Sequence, residues 1–376
     1  TALMVDSRFV APRTPVEEKL AAIWTEVLDL KSVGIHDNFF EVGGDSILSL
    51  NLVIRTEKAF GKKVPLDTLL RQPTIAQLAT IFEKPIDRSI WSPLVAIQPH
   101  GDRLPFYCVH EISGEVIGMQ KLVRYLGPDQ PFYGLRARGL DGEEDPHHSI
   151  KEMAAYYIEH MRNVQSNGPY CVGGLSYGSA VALEIAQQLL AQGQEVGLLA
   201  IFDHIAPLAD VNNRGGRALV IGRVLRNFPG WLPTFIRRGP TEMAARLNRK
   251  IVRNGITTLS RLGLLDAAAL SIRPADIYDY EKKLPEDRRQ LIDTHYEALA
   301  RYRPQAYPGR VTLFINRIRS LLDTRDLEGS WQLLAPGRVD VKSLPGMHEN
   351  WAYEPYVQEA AEIIRECLDQ VQRHQK

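Results

Sequence analysis

The chain has 376 residues, which is enough for two domains of unequal size with a sizeable core. Its 45 Lys and Arg residues balance 45 Asp and Glu residues, so the formal net charge is +0 at pH 7. This balance argues against a nucleic-acid-binding protein, which normally carries a clear basic excess.

The cysteines and the apolar segments indicate where in the cell the protein is expected. The 3 cysteines, with no CxxC spacing, predict neither a disulfide framework nor a metal site, so we expect a reducing, cytoplasmic location. No apolar run is long enough for a membrane span, and the N-terminus lacks a signal-peptide pattern. Because the chain begins with Thr1 rather than Met, we expect it to be a piece of a longer polypeptide.

Residues 14–84 have the hydrophobic spacing of helices and contain no convincing strand. The stretch TPVEEKLAAIWTEVL predicts a first helix, with Thr14 as its N-cap and Glu17 at the capping-box position. Two further helices are predicted, one that follows Ser46 and one over 74–82. The sequence therefore predicts a small helical bundle.

Residues 85–93, PIDRSIWSP, lack periodicity and contain two prolines, which indicates a linker. From Leu94 onward, short apolar runs alternate with helical segments, a pattern typical of a parallel α/β sheet. The predicted strands are FYCVH (106–110), PFYGL (131–135), YCVGGLS (170–176), VGLLAIFD (196–203), VTLFIN (311–316) and VDVKSLPG (339–346).

The interval from about Ala206 to Pro304 interrupts this alternation. It is mostly helical in pattern and too long for a simple crossover, so it predicts an insertion that forms a lid over the carboxyl edge of the sheet. Between Asn212 and Leu262 the insertion has eleven basic residues, from 214 to 261, against one acid. We interpret them as a solvated helix surface; a docking face for an acidic partner or substrate is the alternative.

The stretch GGLSYGS (173–179) has the pattern of a nucleophile elbow. Ser176 lies between Gly174 and Gly178, after a predicted strand and before a predicted helix. Small residues permit the tight turn, and the helix N-terminus favours negative charge that develops beside the serine. A glycine-rich turn with a capping serine is the less favoured alternative.

A nucleophilic serine needs a base and an orienting acid, in the chain order serine, acid, histidine for this kind of sheet. His348 is the candidate base because it lies in a loop after the last predicted strand and before a helix. Asp203 is the candidate acid because it ends the strand that follows the elbow helix. The end of VTLFIN is the alternative place, but Asn316 stands there and Asp323 comes several residues later. A capping role for Asp203 also remains open.

The oxyanion hole of such a site needs two backbone N–H groups. Tyr177, directly after the nucleophile, is the first candidate donor. Ile112 is the second, because VHEISGEV provides a turn after the first main strand of the sheet. His110 lies too early in the chain to be the base, and we expect it to order this turn.

The stretch DNFFEVGGDSILSLNLVIR resembles the carrier-domain signature of nonribosomal peptide synthetases. In that family the serine of the GGDS motif bears a covalent 4′-phosphopantetheine, which the resemblance maps onto Ser46, after Gly43, Gly44 and Asp45. The resemblance implies a four-helix peptidyl carrier protein domain over 1–84, with a core of about 14–84. The preceding FVAPRTPVEEKLAAIW resembles the junction that follows an adenylation domain, and Phe39, Phe40 and Val42 are expected to anchor the GGDS loop.

The second segment resembles the type I thioesterase that ends such assembly lines, through FYCVHEISG, DQPFYGLRARGL, GGLSYGS, AIFD and GMHENWAYEPYVQE. The resemblance implies an α/β-hydrolase fold over 94–376 with a helical lid, and the roles of nucleophile, acid and base for Ser176, Asp203 and His348. Glu111 and Ser179 depart from the His-Pro pair and from the glycine that family members often have at these places.

The two resemblances together imply termination of nonribosomal peptide synthesis. An acyl or peptidyl thioester would pass from phosphopantetheine on Ser46 to Ser176 and leave by hydrolysis or cyclisation. The implied partners are upstream adenylation and condensation domains, a phosphopantetheinyl transferase and the thioester substrate. Two alternatives stay open: a free-standing serine esterase whose helical domain carries no substrate, and a non-catalytic carrier or docking module.

Overall fold

The computed structural model describes residues 9–44, 46–84, 92–140, 142, 144–207, 284–319, 325–348 and 350–373, with the backbone alone at 46 and 47. Most of the predicted lid, the whole basic stretch 214–261, most of the predicted linker and Asp323 lie outside the described residues.

The N-terminal part of the chain is a helical bundle. Its helices are α1 (Pro15–Leu28), α2 (Ser46–Phe60), α3 (Thr68–Arg71) and α4 (Ile75–Glu83). Fully buried apolar side chains from these helices and their loops form its core, among them Leu20, Trp24, Phe39, Leu52 and Ile75. The short helix α3 was not among the helices that the hydrophobic spacing indicated, because one helical turn is too short to show a period.

The start of α1 follows the predicted capping pattern with one difference. The side chain of Thr14 accepts a hydrogen bond from the N–H of Glu17. The Glu17 carboxylate, however, accepts from the N–H of Arg13 at 2.7 Å, not from that of the N-cap residue. The Arg13 guanidinium also binds this carboxylate at 2.9 Å, so the charge pair accounts for the shift of one residue.

The second part contains a sheet whose strands, within the described residues, follow the order β1-β3-β2-β4-β5-β6-β7. The strands are β1 (Leu94–Gln98), β2 (Phe106–Val109), β3 (Phe132–Leu135), β4 (Tyr170–Leu175), β5 (Val196–Phe202), β6 (Val311–Asn316) and β7 (Val339–Leu344). Strand β1 is antiparallel to β3, and the other neighbouring strands are parallel. The predicted, mostly parallel α/β fold is thereby confirmed.

Helices cover both faces of this sheet. They are α5 (Gln120–Leu126), α6 (Ile150–Arg162), α7 (Gly178–Ala191), α8 (Glu286–Arg301), α9 (Leu327–Leu334) and α10 (Val357–Arg373). One buried cluster joins α6, α7 and α9 to strand residues such as Val172. Another joins α5 and α10 to the adjacent strand residues such as Cys171. Alternate side chains of each strand thus point to opposite faces.

The helical bundle packs against the α/β part. Its apolar cluster includes the buried side chains of Ile117, Leu284 and Ile292 from the second part of the chain. Among the described residues, no helix is long and apolar enough to cross a membrane. No group of His, Cys, Asp and Glu side chains in that same part of the chain is arranged to hold a metal ion.

Candidate active site and attachment site

Ser176 lies at the turn between β4 and α7, in the setting that a nucleophile elbow requires. Its φ angle is 49°, a left-handed backbone conformation that is uncommon for a residue with a Cβ atom. The N–H of Ser176 donates to the carbonyl of Phe202 at the end of β5, at 3.3 Å. The turn is therefore held in its strained form by the neighbouring strand.

The close approach of strand and helix explains the two glycines of the elbow. A Cβ atom at Gly174 would overlap the carbonyl of Gly178, and one at Gly178 would overlap the carbonyl of His110. Ser179 is fully buried, and its hydroxyl donates to the carbonyl of Gly174 at 2.8 Å. The serine at this position thus ties the end of the strand to the start of the helix.

Asp203 and His348 meet at the carboxyl edge of the sheet. The Nδ1 atom of His348 lies 2.9 Å from Oδ2 of Asp203, although 145 positions separate them in the chain. Asp203 follows β5 directly and has a φ angle of 51°. Its carboxylate is almost completely buried, whereas the His348 side chain is 40% exposed. This contact holds the imidazole with Nδ1 towards the acid.

Strand β6 forms two hydrogen bonds with Asp203, the candidate acid. The N–H of Asn316 donates to Oδ1 of Asp203 at 3.4 Å, and the N–H of Asp203 donates to the carbonyl of Phe314 at 2.8 Å. The other acid that the sequence offered near this strand end, Asp323, lies outside the described residues.

An aromatic contact fixes the loop that carries His348. The ring of Trp351 stacks on that of Phe202, with 5.2 Å between centroids and 3° between planes. Phe202 directly precedes Asp203, so the contact brings the histidine loop to the acid. The side chain of Asn350 also accepts from the N–H of Met347 at 2.7 Å. Sequence reasoning did not identify Trp351; its large apolar ring so close to His348 was the available signal.

The turn after β2 contains the candidate oxyanion donor Ile112, and it contacts the elbow. The backbone of His110 lies against Gly178, one residue after Tyr177, the other candidate donor. The N–H of Gly114 donates to the carbonyl of Glu111 at 3.0 Å and closes the turn. The structure therefore brings together the two segments that would supply the backbone donors.

Three stacked rings lie beneath this turn. The rings of His110, Tyr177 and His295 are separated by 5.0 to 5.8 Å between centroids, with planes within 22° to 25° of one another. The Nδ1 atom of His295 donates to the carbonyl of Ile112 at 2.8 Å, since a carbonyl can only accept. His295, on α8, therefore binds the backbone of the turn.

His110 is bound on both ring nitrogens. Its Nδ1 lies 2.5 Å from the carbonyl of Glu111, and its Nε2 lies 3.0 Å from the hydroxyl of Tyr157. Burial lowers the pKa of His110 to about 3 and that of His295 to about 4. Both imidazoles are therefore neutral at pH 7, which suits an ordering role for His110. No sequence pattern pointed to His295.

The candidate attachment site lies at the start of α2, which begins at Ser46. Before it, the N–H of Gly44 donates to the carbonyl of Phe39 at 2.8 Å, and a Cβ atom at Gly44 would overlap the Phe39 ring. Phe39 is fully buried and lies edge-on to Trp24 at 5.1 Å. The loop is thus anchored to the bundle core through Phe39. Asp45 and the Ser46 side chain lie outside the described residues.

Two family models match this chain in succession. The model for a phosphopantetheine attachment site matches residues 18–82, and the model for a thioesterase domain matches residues 105–228. The first match includes the start of α2, and the second includes the elbow and Asp203. The chain is therefore a phosphopantetheine attachment domain followed by a thioesterase domain.

The relatives that match this pair of domains include nonribosomal peptide synthetases. A dimodular nonribosomal peptide synthase of Bacillus subtilis is 39% identical over 203 residues, which are 53% of this chain and 8% of that protein. A solved four-domain nonribosomal peptide synthetase aligns with 97% of this chain over 27% of its own length. The sequence identity is 25% and the TM-score is 0.53. The chain is thus similar to nonribosomal peptide synthetases and spans only a small part of these relatives.

A solved thioesterase domain gives the same fold for the second part. The NocB thioesterase domain, solved in covalent complex with a fluorophosphonate nocardicin G analog, aligns over its whole length with 74% of this chain. The identity is 23% and the TM-score 0.50, a likeness of fold. The α/β-hydrolase architecture predicted from the sequence is confirmed by this match.

Proposed function

We propose that Ser46 bears the phosphopantetheine arm and that Ser176 removes the acyl or peptidyl chain carried on it, which ends nonribosomal peptide synthesis. The observation that carries the proposal is the contact of 2.9 Å between His348 and Asp203 at the sheet edge where the strained Ser176 turn also lies. A serine, a buried acid and a histidine in this chain order are the parts of a nucleophilic triad.

The residues around Ser46 fit a covalent phosphopantetheine. Because α2 begins at Ser46, a phosphodiester on its hydroxyl would lie at the positive end of the helix dipole. The packing of Gly44 against Phe39 keeps the preceding loop close to the bundle. When bound, the arm supplies a thiol that holds the chain as a thioester.

The first chemical step transfers the acyl group to Ser176. His348 takes the hydroxyl proton on Nε2 as the serine oxygen attacks the thioester carbonyl, while Asp203 holds Nδ1. The N–H groups of Ile112 and Tyr177 stabilise the oxyanion. As the C–S bond breaks, His348 would give its proton to the departing sulfur, and Ser176 would keep the acyl group as an ester.

The second step releases the product. Water, or a nucleophile within the bound acyl or peptidyl group, gives a proton to His348 and attacks the ester on Ser176. The ester bond breaks, and the serine oxygen regains its proton from His348. Hydrolysis gives an acid and the internal attack gives a ring. The predicted lid, which would limit the access of water, lies mainly outside the described residues.

We also propose the partners of this chain and its location in the cell. Upstream adenylation and condensation domains would load the arm, and a phosphopantetheinyl transferase would install it. A cytoplasmic location is part of the proposal, supported by the free state of Cys108, Cys171 and Cys367, all of which are buried.

The test of this function is the intact mass of the protein after incubation with a phosphopantetheinyl transferase and octanoyl-coenzyme A. Wild type, Ser46→Ala and Ser176→Ala are compared. We expect Ser176→Ala to keep the acylated arm, wild type to lose the acyl group with time, and Ser46→Ala to gain no arm.

Each alternative predicts a different mass. A free-standing esterase gains no arm on wild type but still hydrolyses the octanoyl thioester of N-acetylcysteamine. A non-catalytic carrier gains the acylated arm and retains it in wild type. Either result would refute the proposal.

A further inference from the structure

Helix α8 contacts the apolar cluster of the carrier bundle and also the turn after β2 that contains Ile112 and Glu115, hereafter the oxyanion turn. Ile292 on α8 and Leu284 just before it belong to the buried apolar cluster of the bundle. Ile112, the candidate oxyanion donor, packs half-buried against the same cluster. The carrier therefore contacts α8, and the turn packs against the same apolar cluster.

Arg288 on α8 contacts acids from both parts of the chain. Its Nη1 lies 2.8 Å from Oε1 of Glu115, three residues beyond Ile112 in the oxyanion turn. Its Nη2 lies 3.9 Å from Oε1 of Glu57, on the carrier helix α2. The three side chains are between 8% and 15% exposed, so these charges interact with little solvent screening.

The turn is attached to α8 at two points. Glu115 binds Arg288, and the carbonyl of Ile112 accepts from His295, which lies two helical turns further along α8. Two contacts, one on each side of the turn, fix both its position and its orientation. A change in the position of α8 would therefore move the Ile112 N–H group.

Two further ion pairs hold the carrier in place. Arg136, which follows β3, is fully buried with Asp67 of the carrier. Asp287, the residue before Arg288, pairs with Lys63 of the carrier. The carrier contributes the acid to the first pair and the base to the second. Because both pairs form together only in one orientation, they select one arrangement of the carrier.

We propose that Arg288 is a positioning residue that joins the docked carrier, through Glu57, to the oxyanion turn, through Glu115. The helix that begins at the proposed attachment serine thereby contacts the residue that holds the proposed oxyanion turn. Release from the carrier depends on both contacts of Arg288, whereas hydrolysis of a free thioester depends on the Glu115 contact alone. This inference rests on the proposed function.

The experiment compares two substrates on the full chain. The first is the octanoyl group on the carrier arm, whose loss is followed by intact mass in a single turnover. The second is the octanoyl thioester of N-acetylcysteamine, which reaches the site without the carrier and gives separate kcat and KM values. The variants are Glu57→Lys, Arg288→Gln, Glu115→Gln and, as a matched control, Glu26→Lys, since Glu26 forms an exposed pair with Arg55 within the carrier.

Glu57→Lys should slow release from the arm about tenfold while the free thioester is hydrolysed within twofold of wild type. Arg288→Gln should lower release from the arm and also lower kcat for the free thioester about tenfold, with KM within twofold. Glu115→Gln should reproduce the loss on the free thioester, and it decides this point if Arg288→Gln does not fold. Glu26→Lys should match wild type on both substrates.

The inference is overturned if Glu57→Lys releases the arm-bound group at the wild-type rate, or if Glu115→Gln leaves kcat for the free thioester unchanged. Failure of the proposed function is a separate result, since wild type itself would then gain no arm or hydrolyse neither substrate.

Discussion

Ser176 and Asp203 both have left-handed backbones, with φ angles of 49° and 51°, at the ends of the neighbouring parallel strands β4 and β5. Such a conformation costs on the order of 1–3 kcal/mol for a residue other than glycine. It persists because surrounding hydrogen bonds determine it, such as the bond from Ser176 N–H to Phe202. Of the three described non-glycine residues with such a backbone, two are therefore positions that the proposed chemistry uses, and the third, Asp29, caps the C-terminus of α1.

Replacement of the acid tests its proposed orienting role. Asp203→Asn keeps the size of the side chain but removes the charge that holds His348 with Nδ1 protonated. We expect kcat for a thioester to fall on the order of 10³–10⁴-fold with the fold retained. Asp340→Asn is the matched control because Asp340, on β7, forms an exposed ion pair with Arg310. Equal kcat values for the two variants in steady-state assays would remove Asp203 from the triad.

The buried histidines predict loss of stability in acid. Burial lowers the pKa of His110 to about 3 and those of His204 and His295 to about 4, against about 6.5 in an unfolded chain. Between these values the unfolded chain binds protons that the folded one does not, so the free energy of unfolding decreases as pH falls. Each of the three should contribute a loss of about 2 kcal/mol from pH 7 to pH 5.

Urea unfolding at pH 8, 7 and 5 measures this effect for wild type and His295→Gln. The value at pH 8, where the imidazole is neutral in both states, gives the cost of the substitution itself. We expect the loss between pH 7 and pH 5 to be smaller in the variant by about 2 kcal/mol. The same loss in both proteins would show that His295 does not titrate on unfolding.

Neighbouring backbone atoms tightly constrain the turn between β4 and α7, the candidate nucleophile elbow. Strand β4, the turn and helix α7 approach so closely that backbone carbonyls take the space that side chains at Gly174 and Gly178 would need. The hydroxyl of Ser179 bridges the two elements at 2.8 Å. The element thus presents Ser176 only if both glycines are kept.

Gly178→Ala should disrupt this element. The added methyl group would overlap the carbonyl of His110, and backbone cannot yield as a flexible side chain can. We expect the free energy of unfolding to fall by about 1–3 kcal/mol and kcat to fall at least tenfold. In Gly118→Ala the nearest atom to the methyl group is the hydroxyl of Tyr353 at 3.7 Å, so it is the control. If thermal unfolding and thioester assays do not separate the two variants, the elbow tolerates the methyl group.

The carrier and thioesterase parts form one packed molecule in this structure. Their contact combines a shared apolar cluster with the buried pair of Asp67 and Arg136, each only 1% exposed. A second arginine, Arg71, lies 3.1 Å from the other oxygen of Asp67. Burial of these charges makes the pair costly to break by removal of one partner.

Asp67→Asn tests that pair at the scale of the whole molecule. It leaves the buried guanidinium of Arg136 without its carboxylate, so we expect the free energy of unfolding to fall by about 3 kcal/mol. Glu26→Gln removes the acid of the exposed pair with Arg55 and should cost less than about 1 kcal/mol. Urea unfolding of the full chain compares the two, and similar losses would contradict a stabilising contact between the domains.

Several features of the fold were predictable because their signals are local. The capped start of α1, the buried parallel strands and the elbow helix each follow from the spacing of apolar residues and from turn residues. Strand β1 was missed because this antiparallel edge strand has a mixed burial pattern, with Ala96 exposed. The short helix α3 was missed because it spans one turn.

For the candidate site, contiguous motifs were enough to indicate which residues could act. GGLSYGS in its strand–helix setting indicated Ser176, the strand end indicated Asp203, and the late loop indicated His348, since each motif is contiguous in the chain. The residues that surround them depend on how the chain folds. His295 beneath the oxyanion turn, Trp351 against Phe202 and Arg288 between Glu57 and Glu115 are contacts across long chain separations. Such contacts depend on how the helices pack on the sheet, which residue spacing along one segment does not encode.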